Sequence, residues 1–189
     1  MSWVELITGE MLGDGHIRKL ESGSCMYAHF SKHRPYLTWL ANELELQGFS
    51  TKLTSQLHER RGRQHDVYRL RTRIDPRLEA IHREWYTADA KAVPEDFNIS
   101  PIILRQWYIG DGTGFIGSQQ SQVQLTSQLT EEDGQKMIDE FKNVGVQASQ
   151  QVNGSLHIWK RSHTRFFEYM AELPDEIDEC FGYKWRLAR

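Results

Sequence analysis

The chain has 189 residues, 39% of them hydrophobic and 26% charged, with a formal net charge of −3. This is an ordinary soluble globular composition with room for one good core or two small ones, which excludes a disordered or collagen-like chain. No apolar run reaches the length of a membrane span, the opening MSWVELITGE lacks the marks of a signal or transit peptide, and Cys25 and Cys180 form no metal-ligand pattern.

In chain order, LITGEMLGDGHI (6–17) reads as an apolar helix with two glycines, Gly9 and Gly13, that runs straight into Asp14-Gly15. Each interior glycine costs roughly 1 kcal/mol against alanine, so two of them point to a close backbone approach. Asp14 falls at the helix C-terminus, where a carboxylate meets the negative end of the dipole and needs a cation or other partner. Two strands follow, 16–21 and 25–31, then a helix with Pro35 at its start. A hairpin pairs 50–58 with 65–73, and a further helix begins near Pro76.

The sequence then repeats. LRQWYIGDGTGF (104–115) carries Asp111 and Gly112 at 97 positions (111 − 14) after their first copies, and Gly145 follows Gly48 by the same interval. Strands are expected at 113–119 and 122–128. A helix capped by Thr130 comes next, then a hairpin of 146–152 with 155–161 turning at Asn153-Gly154, and a last helix from about Thr164. The fold class read from this order is α+β: two pseudo-symmetric αββαββα repeats, each a four-stranded antiparallel sheet with helices on one face. The domains are 1–90 and 100–189, with a linker at 91–99.

Period-two reading assigns Met26, Ala28 and Phe30, with Val123 and Leu125, to the core face. The opposite face carries Tyr27, His29 and Ser31, and Gln122, Gln124, Thr126 and Gln128 in the second copy; His16 and Arg18 belong to the strand before. In the first hairpin Leu53, Tyr68 and Leu70 point inward, and Lys52, Thr54, Gln56, Arg69, Arg71 and Arg73 outward. In the second, Gln147, Ser149, Gln151, His157, Trp159 and Arg161 point outward. Residues 52–73 hold seven Lys or Arg, including Arg60, Arg61 and Arg63 at the ERRGRQ tip, against Glu59 and Asp66. A solvated face mixes its signs more evenly, so this polar face is expected to bind nucleic acid.

The paired Asp-Gly helices, their spacing and the αββαββα repeat resemble the LAGLIDADG homing endonucleases in their single-chain, two-repeat form. The motif maps onto ITGEMLGDG (7–15) and LRQWYIGDG (104–112), and the closing LHIWKRSHTRFFEYMAELPDEIDECFGYKW is similar to the tail of one branch of that family. The resemblance implies a curved DNA-binding saddle whose motif helices pack side by side, with Gln106 in place of an expected glycine loosening the contact. It implies metal ligation by Asp14 and Asp111 with the carbonyls of Gly13 and Gly110, to two or three Mg2+ ions that Mn2+ can replace.

The resemblance further implies water-ordering residues at the end of the second strand, positions that fall here at Ser31-Lys32 and, by the 97-residue offset, Gln128-Leu129. Lys32 and Gln128 are therefore candidate catalytic groups, and Lys160 stands in on the Leu129 side. The implied partner is double-stranded DNA, bound by a monomer at an asymmetric target, with no membrane and no small-molecule cofactor. The expected location is intracellular: cytoplasmic in a prokaryote or virus, otherwise organellar. The alternative is a maturase or DNA-binding regulator that keeps the fold without cutting.

Overall fold

The computed structural model describes residues 1–60, 63–87, 90–116, 121–127 and 129–185. The first half runs α1 (Trp3–Leu12), β1 (His16–Lys19), β2 (Cys25–Ser31), α2 (Arg34–Leu46), β3 (Thr51–Arg60), β4 (Arg63–Thr72) and α3 (Arg77–Trp85). A two-stranded ribbon of β5 (Tyr86–Thr87) and β6 (Ala90–Lys91) opens the segment that joins the halves. The second half runs α4 (Pro101–Asp111), β7 (Gly112–Ile116), β8 (Ser121–Leu125), α5 (Glu131–Asn143), β9 (Ala148–Gln150), β10 (Leu156–Ile158), α6 (His163–Tyr169) and α7 (Asp178–Trp185). The two sheets, β1-β2-β4-β3 and β7-β8-β10-β9, have the same order and are antiparallel throughout. The expected αββαββα plan thus occurs twice, with α7 added. No described helix is long and apolar enough to cross a membrane.

Local chemistry sets the elements. The side chains of Ser2, Ser100 and Thr130 each accept a main-chain N–H at the start of α1, α4 and α5. Gly48 and Gly145, the second pair of landmarks, both take the left-handed conformation (φ +82° and +79°) that ends a helix and turns the chain toward the next strand.

One hydrophobic cluster spans both halves, and α1 lies against α4 at its centre. A Cβ placed on Gly9 would fall 2.6 Å from the Gln106 Cβ and 2.7 Å from the Ile103 carbonyl oxygen. The contact at Gln106 is therefore tight, not loosened: Gly9 makes the room that Gln106 occupies. The closing segments cross over. Phe181 of α7 packs on Tyr36 of α2 (centroids 5.2 Å apart), while the Val93 and Ile99 amides, beyond β6, donate to Asp133 and Glu140 of α5.

The strands bring further corrections. β2 buries Tyr27 and His29 (0% and 2% exposed) and leaves Phe30 38% exposed, the reverse of the face read from sequence. The ladders give the reason. His16 pairs with Ala28, but Gly112 pairs with Leu125, so with the motifs held in register Leu125 is level with His29, an offset of 96 (125 − 29). A one-residue change in the turn inverts every side chain of a strand. The first hairpin also continues to Arg60 opposite Arg63 instead of opening into a tip loop at Glu59. The second hairpin does turn at Asn153-Gly154, Gly154 having φ +83°, but its strands are shorter than expected.

Candidate active site

The two motif helices end against each other. A Cβ on Gly110 would lie 3.4 Å from the Gly13 Cα and 3.5 Å from the Asp14 amide nitrogen, so the main chains nearly touch there. Asp14 and Asp111 are consequently delivered side by side, at the negative ends of two helix dipoles. Burial, then the charge of Asp14, pushes the Asp111 carboxyl up to about 6, against the opposing pull of Ser127, Lys91 and Lys184.

Those two lysines answer the electrostatic problem posed by the motif. Lys91 Nζ donates to the carbonyls of Gly13 (3.4 Å) and Gly15 (3.2 Å) at the end of α1. Lys184 Nζ, buried, donates to those of Tyr108 (3.0 Å) and Ile109 (2.8 Å) near the end of α4. Each half thus sends back a cation from its own closing segment to cap its own motif helix. Burial brings the Lys184 pKa down to about 8, opposed by Asp111 and Asp14 and reinforced by Lys32.

A cleft opens on each side of the pair. One, of about 390 Å³, is lined by Asp14, Ser31, Lys32 and Lys184; the other, of about 370 Å³, by Gly13, Asp111, Ser127, Leu129 and Lys91. Each lysine that caps one motif helix therefore lines the cleft of the other half's aspartate. Lys160, exposed in a short turn after β10, lines neither cleft, and Gln128 lies outside the described residues. By the ladder register Lys32 is level with Gln128, and Ser31 with Ser127, so the expected pairing of Lys32 with Leu129 is off by one.

Behind Asp14 lies a buried charge. Glu10 (2% exposed) accepts from Tyr27 OH (3.1 Å), from Tyr36 OH and, across the helix interface, from Gln106 Nε2 (2.7 Å), and meets His29 Nδ1 at 2.6 Å. Burial alone would raise its pKa; the His29 charge and these hydrogen bonds outweigh it and hold the carboxyl below the usual range. The Glu10 carbonyl also accepts the Gly13 and Gly15 amides, so the same residue shapes the turn that carries Asp14. The matching position of α4 is Trp107, whose Nε1 donates to Ser127 Oγ (2.8 Å), which lies 3.2 Å from Asp111 Oδ2.

The first sheet's open face carries His16, Arg18, Lys52, Thr54, Gln56, Arg69 and Arg71, as the ladder places Lys52 opposite Arg71 and Thr54 opposite Arg69. Met26, Ala28 and Phe30 share this face, and the described side chains on it include no carboxylate. Arg73 is exposed just beyond β4. Tyr27 and His29 are not on this face, and Ser31 sits in the Asp14 cleft. Arg60 and Arg63 close the hairpin ladder, and Arg61 lies outside the described residues.

On the second sheet Gln124 and Ser149 both pair with His157, and Gln122 donates to Gln124 (2.9 Å). Gln147, Gln151, Trp159 and Arg161 are exposed at the ends of its hairpin, the Arg161 guanidinium lying 4.7 Å from the Trp159 ring centroid. Thr126 is exposed beside the motif, its amide donating to the Asp111 carbonyl.

Sequence reading missed Glu10, Lys91, Lys184 and Ser127, and placed Phe30 on the core face. Only Glu10 carried a signal, as a carboxylate among apolar helix residues that must find partners when buried. Among the described residues no three His, Cys, Asp or Glu side chains converge on one point. The donor set here is two carboxylates with main-chain carbonyls beside them. These are hard oxygens, few in number, which suits a small cation that keeps much of its own water.

A family model described as the LAGLIDADG DNA endonuclease family matches residues 4–166. No curated protein matches the chain in sequence. Among solved structures, the homing endonuclease I-WcaI bound to its DNA recognition sequence is similar at TM-score 0.78 and 16% identity, over 93% of this chain and 85% of that one. Full-length DUF199/WhiA from Thermatoga maritima is similar at TM-score 0.59 and 10% identity, over 98% of this chain and 62% of that one. At these identities the structures speak for the fold. With the family model covering most of its length, the chain belongs to the LAGLIDADG DNA endonuclease family.

Proposed function

We propose that this protein is a site-specific endonuclease that makes a double-strand break in a long asymmetric DNA target by metal-dependent hydrolysis, in the service of intron or mobile-element homing. The observation that carries this reading is the meeting of Asp14 and Asp111 at touching helix ends, with a lysine-lined cleft on either side. Two or three magnesium ions, replaceable by manganese, held by Asp14 and Asp111 with the Gly13 and Gly110 carbonyls, would supply Lewis acidity for the attacking water and the leaving 3′ oxygen. The chain's own groups do the rest. Lys32 and Lys184 offer positive charge in the Asp14 cleft, Lys91 does so in the Asp111 cleft, and Ser127 orients the Asp111 carboxylate.

The repeats 1–90 and 100–189, joined through 91–99, each take one half-site. The arginine-rich first face suits guanine and phosphate, and the glutamine-bearing second face suits adenine. A monomer then suffices. I-WcaI was solved on its recognition sequence, which supports DNA as the partner. The paired aspartates favour cutting over binding alone. The test is selection of cleaved sites from a randomised duplex library with magnesium. One long cleaved sequence is the expected result. Binding to a preferred sequence with no cleavage under magnesium or manganese would overturn the endonuclease reading in favour of the regulator.

A further inference from the structure

On the first sheet's open face, Phe30 is an exposed aromatic ring on one of the two central strands. β2 lies between β1 and β4, so the ring has His16 on one side, stacked at 6.1 Å and 4°, and Arg69 on the other, with its guanidinium carbon 4.9 Å from the ring centroid. The register makes Phe30 the direct partner of Arg69. The Arg69 Nε is shut off from solvent and has no hydrogen-bond partner among the described residues. No acceptor among the described residues holds the guanidinium, so its outer N–H groups are not committed within the protein. Nor does a carboxylate compensate it: Arg71 and Arg18 are the nearby charges, and they repel it.

We propose that Arg69, held against the Phe30 ring, reads a guanine in the major groove near the centre of the target, and that Phe30 determines this specificity by fixing the guanidinium. Arginine stacked on an aromatic face loses its freedom about the side-chain axis while its N–H fork stays available, the arrangement that matches the paired O6 and N7 acceptors of guanine. Position favours a base over a phosphate. Central strands of a sheet laid in the groove face its floor, where the base edges lie, and the rim meets the backbone. Phe30 also lines the Asp14 cleft, which puts the contacted base close to the scissile phosphates. The proposal rests on the reading of this face as a DNA interface and adds to it the base, the reader and the residue that holds the reader.

The experiment is selection of bound duplexes from a randomised library by the full chain, with divalent metal chelated so that nothing is cut. The parent should enrich a sequence with guanine at one inner position of one half-site. Arg69→Lys, which keeps the charge, should lower that preference on the order of tenfold or more. Phe30→Leu should lower it as well, and Phe30→Tyr should retain it, with the other positions unchanged in each case. Because Phe30 is exposed, thermal melts of these variants should stay near the parent. An undiminished guanine preference in Arg69→Lys, with affinity and salt dependence near the parent's, would make Arg69 a phosphate contact and overturn the proposal. So would an undiminished guanine preference in Phe30→Leu. If the parent enriched no sequence at all, the interface reading would fall, and this proposal with it.

Discussion

The two halves share a backbone plan and differ in what each sets behind its aspartate. In the first, a buried carboxylate, Glu10, is held by His29, two tyrosines and the other half's Gln106. In the second, Trp107 occupies the matching position, and a chain of hydrogen bonds from uncharged donors runs through Ser127 to the Asp111 carboxylate itself. The first arrangement braces the turn before Asp14 without touching its carboxylate; the second touches the carboxylate directly. A pseudo-symmetric fold can therefore keep two equivalent ligands while the groups that hold them in place are chemically unlike.

The largest effect tests what the halves have in common. Asp14→Asn and Asp111→Asn should each lower cleavage by several orders of magnitude, because each removes one of the two carboxylates that meet at the motif-helix ends, while binding to the selected duplex changes little. Cleavage at the parent rate in either variant would remove that aspartate from the site.

The next contrast concerns the supports. His29→Ala leaves Glu10 buried opposite an empty space, and breaking a buried pair in this way costs about 3–5 kcal/mol. Ser127→Ala leaves the buried Trp107 indole N–H without its acceptor and should cost less, about 1–3 kcal/mol. Denaturant melts measure both. Equal losses would mean that the first half's network is no more than another set of hydrogen bonds.

The repeat, the motif helices and the polar hairpin faces were legible because they depend on local pattern: glycine at close approach, a capping residue, alternation along a strand. The face of β2 was not. Tyr27 and His29 look like groove residues in isolation and become core residues only because Glu10, on another element, satisfies them. The offset that seemed to confirm the opposite face was measured at the motifs, and a change in turn length between β1 and β2 made it wrong by one. Lys91 and Lys184 escaped for a different reason. They lie in closing segments without periodicity of their own, and only tertiary folding brings them to the helix ends.

A smaller effect would separate the two clefts. Lys32 adds a cation to the Asp14 cleft beyond Lys184, whereas Lys91 is the lysine lining the Asp111 cleft. Lys32→Ala should slow one strand's cleavage roughly tenfold, below the effect of a buried charge-stabilising donor because Lys32 is solvated. Lys91→Met should slow the other strand. Single-turnover cleavage of a doubly labelled duplex resolves the two, with nicked intermediates accumulating in each variant. Equal slowing of both strands by Lys32→Ala would defeat the assignment of each lysine to its own cleft.

The smallest effect distinguishes the aspartates themselves. The Asp111 carboxyl titrates near 6 in the folded chain, against 3.8 for an ordinary aspartate, with burial as the main cause and Asp14 as the second. Between those values the folded state holds a proton that the unfolded chain has released. The contribution of this group to stability is therefore fully present below about pH 4 and is lost as pH rises through 6. Ionised Asp111 thus opposes folding at neutral pH when no metal is bound. Asp111→Asn should raise the metal-free melting temperature at pH 7.5 by on the order of a few degrees, and the gain should shrink as the pH is lowered to 4. Asp14 is exposed, so Asp14→Asn relieves repulsion without recovering a burial cost and should gain less. Added magnesium should stabilise the parent more than Asp111→Asn and narrow the gap between them. A metal-free Asp111→Asn variant that melts below the parent at pH 7.5 would show that Ser127, Lys91 and Lys184 already compensate the charge, leaving the two halves alike in this respect.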